Sequence, residues 1–126
     1  MIDIHAHILP GIDDGAEDMY DTLEMARMAA DSGVDKIIAT SHCNIPGMYG
    51  REYIDRYESV VRAVRKEKIP IEILPGMEVF STEDLPELIV NHKIMPLNQS
   101  RYILMEFAFD EDPEFADSIL KRVEEV

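Results

Sequence analysis

Residues 2–7, IDIHAH, alternate apolar and polar positions, a period of two that puts Ile2, Ile4 and Ala6 on one face of a β-strand and Asp3, His5 and His7 on the other. The following ILPGIDDGA carries the proline, glycines and aspartates that break regular structure. From Asp18 to Ser32 the period changes: Met19, Leu23, Ala26 and Ala30 recur at helical spacing, Glu17 and Asp18 favour the helix start, and Gly33 stops it. VDKIIATSH, residues 34–42, predicts a second strand, and CNIPGMYG, residues 43–50, a loop. In residues 51–68 a stripe of Ile54, Tyr57, Val61 and Val64 predicts a second amphipathic helix.

IEILPGMEVF, residues 71–80, predicts a third strand shortened by its proline and glycine, so that Glu78 falls at or just past its end. STEDLPELIVNHK, residues 81–93, predicts a short helix capped by Ser81 or Thr82. RYILMEFAF, residues 101–109, predicts a fourth strand, and Asp112 before Pro113 opens a last helix with Phe115, Ile119 and Val123 on one face. Strand and helix thus alternate in units of about 30 residues, the pattern of an α/β fold of parallel strands joined by right-handed crossovers. A closed barrel of such units takes about 250 residues. The 126 residues predict a partial (βα) barrel of about four units, one domain without a linker. A half barrel exposes an unpaired strand edge at each end, which predicts self-association through those edges.

Composition narrows the chemistry. The 46% hydrophobic content fits a globular protein, and no apolar run approaches a membrane span. The start lacks the basic and apolar stretches of a signal peptide, so the expected location is the cytoplasm. A single cysteine, Cys43, forms no internal disulfide, in keeping with a reducing compartment. The net charge of −14 argues against nucleic acid and anionic membranes as partners. Carboxylates and imidazoles can instead hold divalent cations, which reverse the local field and admit an anionic substrate.

Ligands of parallel α/β sheets bind at the carboxyl ends of strands. Four predicted strands end in metal-ligating residues: His5 and His7, then His42, Glu78 and Glu106. Two histidines two residues apart on one strand face can reach one cation. Asp14 can lean over the same rim; Asp13 could do so instead, and either could serve only the backbone amides of the turn. Glu106 has an alternative in a salt bridge to Arg101 or Lys93. Asp3 lies deeper and reads as structural, and His92 as solvated. Mixed histidine and carboxylate donors suit manganese, iron or zinc better than calcium or a cysteine-rich zinc site. A bridging carboxylate such as Glu78 would hold two cations about 3.5 to 4 Å apart. Cys43 does not match a cysteine-dependent phosphatase, because seven residues separate it from Arg51 where that motif has five. It reads as a small loop thiol. Neither a P-loop nor a GxSxG turn is present.

MIDIHAHILPGIDDGA, TSHCN, GMEVF and SRYILMEF, in this order, resemble the polymerase and histidinol phosphatase (PHP) superfamily, and within it the bacterial capsule and exopolysaccharide tyrosine phosphatases of the manganese-dependent type. The resemblance covers residues 1–126 and corresponds to the N-terminal half of such a phosphatase domain. It implies a distorted (βα)7 barrel with two to three metal ions at its C-terminal rim, manganese foremost. It also implies hydrolysis of phosphotyrosine on a tyrosine kinase. By motif, His5, His7, Asp14, His42, Glu78 and Glu106 stand at metal-ligand positions, with His42 and Glu78 also expected to be catalytic. The family's later histidines, aspartate and phosphate-binding arginine have no counterpart in the sequence. The alternatives are a phosphatase of small phosphomonoesters such as histidinol phosphate, or a non-catalytic metal-binding or assembly fragment.

Overall fold

The computed structural model describes residues 1–43 and 50–126, with the backbone alone at Cys43 and Gly50. The elements are β1 (Ile2–Ala6), α1 (Met19–Asp31), β2 (Lys36–Ala39), β3 (His42–Cys43), α2 (Gly50–Lys66), β4 (Glu72–Pro75), β5 (Glu78–Phe80), α3 (Leu85–Val90), β6 (Leu104–Glu106) and α4 (Pro113–Glu124), with a 3-10 turn at Leu97–Gln99. The predicted loop falls largely outside the described residues. Its first residue, Cys43, is the end of a strand rather than a loop thiol, and its last, Gly50, opens α2.

All strand pairs are parallel, in the orders β1-β2-β4 and β3-β5-β6. The predicted second and third strands are therefore each split in two. β2 pairs Ala39 with Pro75 of β4, and after an interruption His42 of β3 pairs with Glu78 of β5. Glu78 consequently begins a strand instead of ending one. Pro75 has no N–H to continue the ladder. Gly76 lies so close to the second strand that a Cβ there would come within 2.6 Å of Ile38 Cγ2. Across the interruption, Glu78 N–H donates to the Ser41 carbonyl at 3.0 Å.

Two cores support the two sheets. Beneath β1, β2 and β4, α1 and α2 contribute Ala26, Val60 and Val64 to a buried cluster with Leu9, Ile37 and Ile73. Beneath β5 and β6, α3 and α4 contribute Leu85 and Ile119 to a smaller one with Met77 and Val79. Each of the valine, leucine, isoleucine and methionine side chains among them contributes about 1.5 to 3 kcal/mol when fully buried.

Local capping follows the sequence at two helices. The Asp18 carboxylate accepts Asp21 N–H at 2.9 Å to start α1, and Asp112 accepts Glu114 N–H at 3.0 Å to start α4. Gly33, at φ 94°, follows the end of α1. The cap of α3 is Asp84, not Ser81 or Thr82, whose hydroxyl at 82 bonds the Asp84 carboxylate.

The buried face of α2 keeps Val64 of the predicted stripe, with Tyr57 and Val61 partly buried, but takes in Tyr53 and Val60 and leaves Ile54 facing solvent. Tyr53 turns inward because its hydroxyl finds backbone partners at the strand interruption, donating to Ala39 C=O and accepting from Gly76 N–H. Ile2 and Ile4, on the apolar face of β1, are 54% and 51% exposed, and β1 is an edge strand with β2 as its one neighbour among the described residues. No helix among those residues is long and apolar enough to cross a membrane.

Candidate metal centre

Between Asp3 and Ala6 the register of β1 against β2 slips by one residue. Such a bulge frees amides and re-aims side chains. The freed groups are satisfied locally: the Asp3 carboxylate accepts His5 N–H at 3.0 Å, and the buried Thr40 hydroxyl accepts Ala6 N–H at 2.8 Å. Asp3 is structural, as its sequence position implies, and it holds the backbone of one of the histidines. Beyond the strand the buried Thr22 hydroxyl donates to Ile8 C=O at 2.6 Å and ties the chain to α1.

The two aspartates of the IDDG turn divide their work. Asp13 accepts two backbone amides, Gly15 N–H and His42 N–H, each at 3.0 Å, and so joins the turn to the start of β3. Asp14 faces the imidazoles, with Oδ1 at 3.0 Å from His7 Nδ1 and 3.3 Å from His42 Nε2. Gly15 lets the turn lie directly on the His7 backbone: an added Cβ would sit 1.9 Å from the His7 carbonyl oxygen.

Glu78 is the hub. Its Oε2 lies 3.2 Å from His5 Nε2, 2.7 Å from His7 Nε2 and 3.3 Å from His42 Nδ1. Glu106, from the neighbouring strand, reaches His42 Nδ1 at 3.3 Å. Neither Arg101 nor Lys93 pairs with it among the described residues. The fold thus gathers all six sequence candidates into three overlapping triplets: His5, His7 and Glu78; His7, Asp14 and His42; His42, Glu78 and Glu106. Within each triplet the donor atoms lie within 4.8 Å of one another. His92 is exposed beyond the end of α3 and joins none of them.

Burial falls off across the cluster. The Glu78 side chain is 9% exposed, those of His5 and Asp14 50% and 75%, so the group opens to solvent on the side of the latter two. Burial alone lowers the His7 imidazole, but its hydrogen bonds to the Asp14 and Glu78 carboxylates and the charge of Asp13 outweigh this and hold it above its ordinary value. The His7 hydrogen bond in turn lowers the Asp14 carboxyl, against a smaller opposing effect of desolvation.

The donor set fits divalent cations. His42 Nδ1 is buried without a well-aligned hydrogen bond, although two carboxylate oxygens stand 3.3 Å away. A nitrogen lone pair held between carboxylates in this way suits a cation shared by all three groups. Glu78 belongs to two triplets, and a carboxylate, unlike a neutral imidazole, can bridge two cations. Missed by sequence reasoning were Asp13 as the clamp on His42, Thr40 as the clamp on Ala6, and the contact of Gly15 with His7. The IDDG turn signalled the first and the last; nothing local signalled Thr40.

The profile of the family described as capsular polysaccharide synthesis, CpsB/CapC, matches residues 1–126. The chain belongs to the CpsB/CapC family. Among its relatives, the tyrosine-protein phosphatase YwqE of Bacillus subtilis (strain 168) is 40% identical over 122 residues, which is 94% of this chain and 48% of YwqE. The tyrosine-protein phosphatase CpsB of Streptococcus pneumoniae is 35% identical over 111 residues, 86% of this chain and 45% of CpsB. A chain from the crystal structures of YwqE and CpsB, described as metal-dependent tyrosine phosphatases, superposes with a TM-score of 0.88 at 38% identity, covering 98% of this CpsB/CapC chain and 51% of the other. The expected kinship with the capsule tyrosine phosphatases therefore holds, and the chain spans about half the length of the curated relatives it matches.

Proposed function

We propose that this CpsB/CapC chain forms the N-terminal half of a PHP-type, metal-dependent protein-tyrosine phosphatase domain, a partial (βα) barrel whose substrate is a phosphotyrosyl kinase of capsule or exopolysaccharide synthesis. The observation that carries this reading is the convergence of His5, His7, Asp14, His42, Glu78 and Glu106 around one carboxylate hub. The half-length match to metal-dependent tyrosine phosphatases supports it, as does the absence of a Lys or Arg partner for these carboxylates among the described residues.

In this reading the six side chains hold two to three cations, manganese first, with iron or zinc as alternatives. Bound cations supply Lewis acidity: they acidify water and neutralise phosphoryl oxygens that the carboxylates would otherwise repel. The chain's own part is to hold and orient. Glu78 presents one oxygen to three imidazoles. His42, fixed at its amide by Asp13, sets one ring nitrogen toward Glu78 and Glu106 and the other toward Asp14. Asp14 and His5 line the open side, where a phosphoryl group would enter. Hydrolysis through water needs no thiolate, so Cys43 has no part in it. The open edge at β1, with Ile2 and Ile4 exposed, supports a second element of the proposal, self-association of the chain through this edge. Among possible sites of action the cytoplasm fits best with a phosphorylated kinase as substrate.

Manganese titration of the wild-type chain and of Glu78→Gln tests the reading. The substitution keeps volume and removes charge, so affinity and stoichiometry are expected to fall. Equal binding by both forms would remove Glu78 from the ligand set, and no binding by the wild type would overturn the metal centre. In a full-length family member carrying these residues, Glu78→Gln is expected to lower phosphotyrosine turnover at least about a hundredfold.

A further inference from the structure

Tyr53 stands outside the ring of candidate ligands, yet it touches the ends of β2 and β4, the strands immediately before those that carry its innermost members. Its side chain leaves α2 and is buried at 5% exposure. The hydroxyl donates to the Ala39 carbonyl at 2.9 Å and accepts Gly76 N–H at 3.0 Å. Ala39 is the last residue of β2, and Gly76 the first after β4. Register is Ala39 with Pro75 before the interruption and His42 with Glu78 after it, so both strands leave the ladder and rejoin it over equal lengths.

A parallel ladder links strand amides directly to strand carbonyls. Here a phenol stands between an amide of one strand and a carbonyl of the other, and the link runs from Gly76 N–H through Tyr53 O–H to Ala39 C=O. Burial pushes the phenol up to about 12, so the hydroxyl keeps the proton it needs to donate and accept together. The hydroxyl bridges the two segments where the ladder is interrupted, immediately before the residues that form the site.

We propose that Tyr53 is a positioning residue for the candidate metal centre: its hydroxyl, bridging the ends of β2 and β4, sets the geometry at which His42 and Glu78 resume side by side. The consequence for metal binding rests on the proposed function, whereas the positioning itself rests on the ladder.

Tyr57 supplies the control. Its ring stacks on that of Tyr53, with centroids 6.2 Å apart and planes 4° from parallel, and its hydroxyl donates to Ile73 C=O at 2.9 Å, inside β4 and before the interruption. Tyr53→Phe and Tyr57→Phe each keep a ring and remove one hydroxyl from the same helix. Both are expected to lower the melting temperature. Only Tyr53→Phe is expected to weaken manganese binding, by at least about tenfold, the scale seen when a group supporting a metal ligand is lost. Its crystal structure is expected to show His42 Nδ1 displaced from its 3.3 Å separation from Glu78 Oε2.

Wild-type affinity together with an unmoved His42–Glu78 pair in Tyr53→Phe would overturn the proposal, leaving Tyr53 a purely stabilising residue. If the wild-type chain takes no manganese, the metal-centre reading fails, and the crystallographic separation in Tyr53→Phe alone decides the positioning role. Should Tyr53→Phe not fold, p-aminophenylalanine placed at position 53 restores a donor on the same ring. Recovery of the wild-type separation then supports the role, and a displaced pair overturns it.

Discussion

The sheet β1-β2-β4 and the sheet β3-β5-β6 are joined through short interruptions, β2 leading into β3 and β4 into β5, but they are built for different ends. In the first, Ile37, Ala39 and Ile73 point into a cluster closed by two long helices. In the second, strands of two and three residues carry His42, Glu78 and Glu106, three groups that water would solvate better than protein does. Ladder length and apolar burial concentrate in the first sheet, whose contribution to the site is His5 of β1 and His7 just beyond it, whereas the second sheet, with its short ladder, carries the other three strand-borne candidates. The difference shows how a small α/β unit can carry a cluster of carboxylates: the cost of gathering like charges in one sheet is offset by burial in the adjoining one, and the two are joined by a phenol, an amide and a turn.

That division can be broken most severely from below. Ile37→Ala, at a position 2% exposed in β2, is expected to cost about 2–5 kcal/mol of unfolding free energy while leaving manganese affinity of the folded fraction unchanged. Urea denaturation and titration of the same sample check both halves of the statement. An equal loss of affinity would show that the sheets do not separate their roles.

Gly15→Ala attacks the join. With a Cβ 1.9 Å from the His7 carbonyl, the turn must lift from β1, and His7 moves with it. The expectation is a loss of about 1–3 kcal/mol together with at least about a tenfold loss of manganese affinity. Unchanged affinity would mean that the turn relaxes without carrying His7.

The aspartate pair sharpens the comparison inside a single turn. Asp13→Ala leaves two backbone amides without their acceptor at a site 6% exposed, so it is expected to cost about 1–3 kcal/mol. Asp14→Ala, at a side chain 75% exposed, is expected to leave the melting temperature nearly unchanged and to weaken manganese binding. Reversal of this order would reassign the two residues.

The smallest expected effect is a sign. In chelator-treated protein, His7 held above its ordinary 6.5 contributes stability that is fully present below 6.5 and is lost as pH rises through its raised value. Manganese competes with that proton, so its affinity is expected to rise over the same window. Melting temperatures measured from pH 6 upward should then fall for chelated protein and hold or rise for loaded protein. Parallel slopes would separate His7 from the metal.

His5, His7, His42, Glu78 and Glu106 were legible because each closes an apolar strand pattern in the sequence, and a parallel α/β arrangement brings such ends to one rim; Asp14 was legible only as one of the two aspartates in the IDDG turn. The caps Asp18 and Asp112 were legible for a related reason: a cap acts on amides two or three residues away, and the sequence contains both partners. The splitting of the second and third strands was not. Pro75 and Gly76 signalled a break in one strand, but the matching break after Ala39 depends on Tyr53, which arrives from a helix and also turns the buried face of α2 away from Ile54.

Local order along the chain was thus enough to determine the strand and helix alternation, the helix starts at Asp18 and Asp112, and five of the six candidate donors, with the sixth narrowed to Asp13 or Asp14, since periodicity, capping and donor chemistry act between neighbours. Only the tertiary structure decided which aspartate serves the backbone and which the imidazoles, which oxygen becomes the hub, and which isoleucines remain exposed. Those outcomes depend on distances between segments as far apart as His7 and Glu78, and such distances are set by packing and register rather than by any stretch of sequence alone.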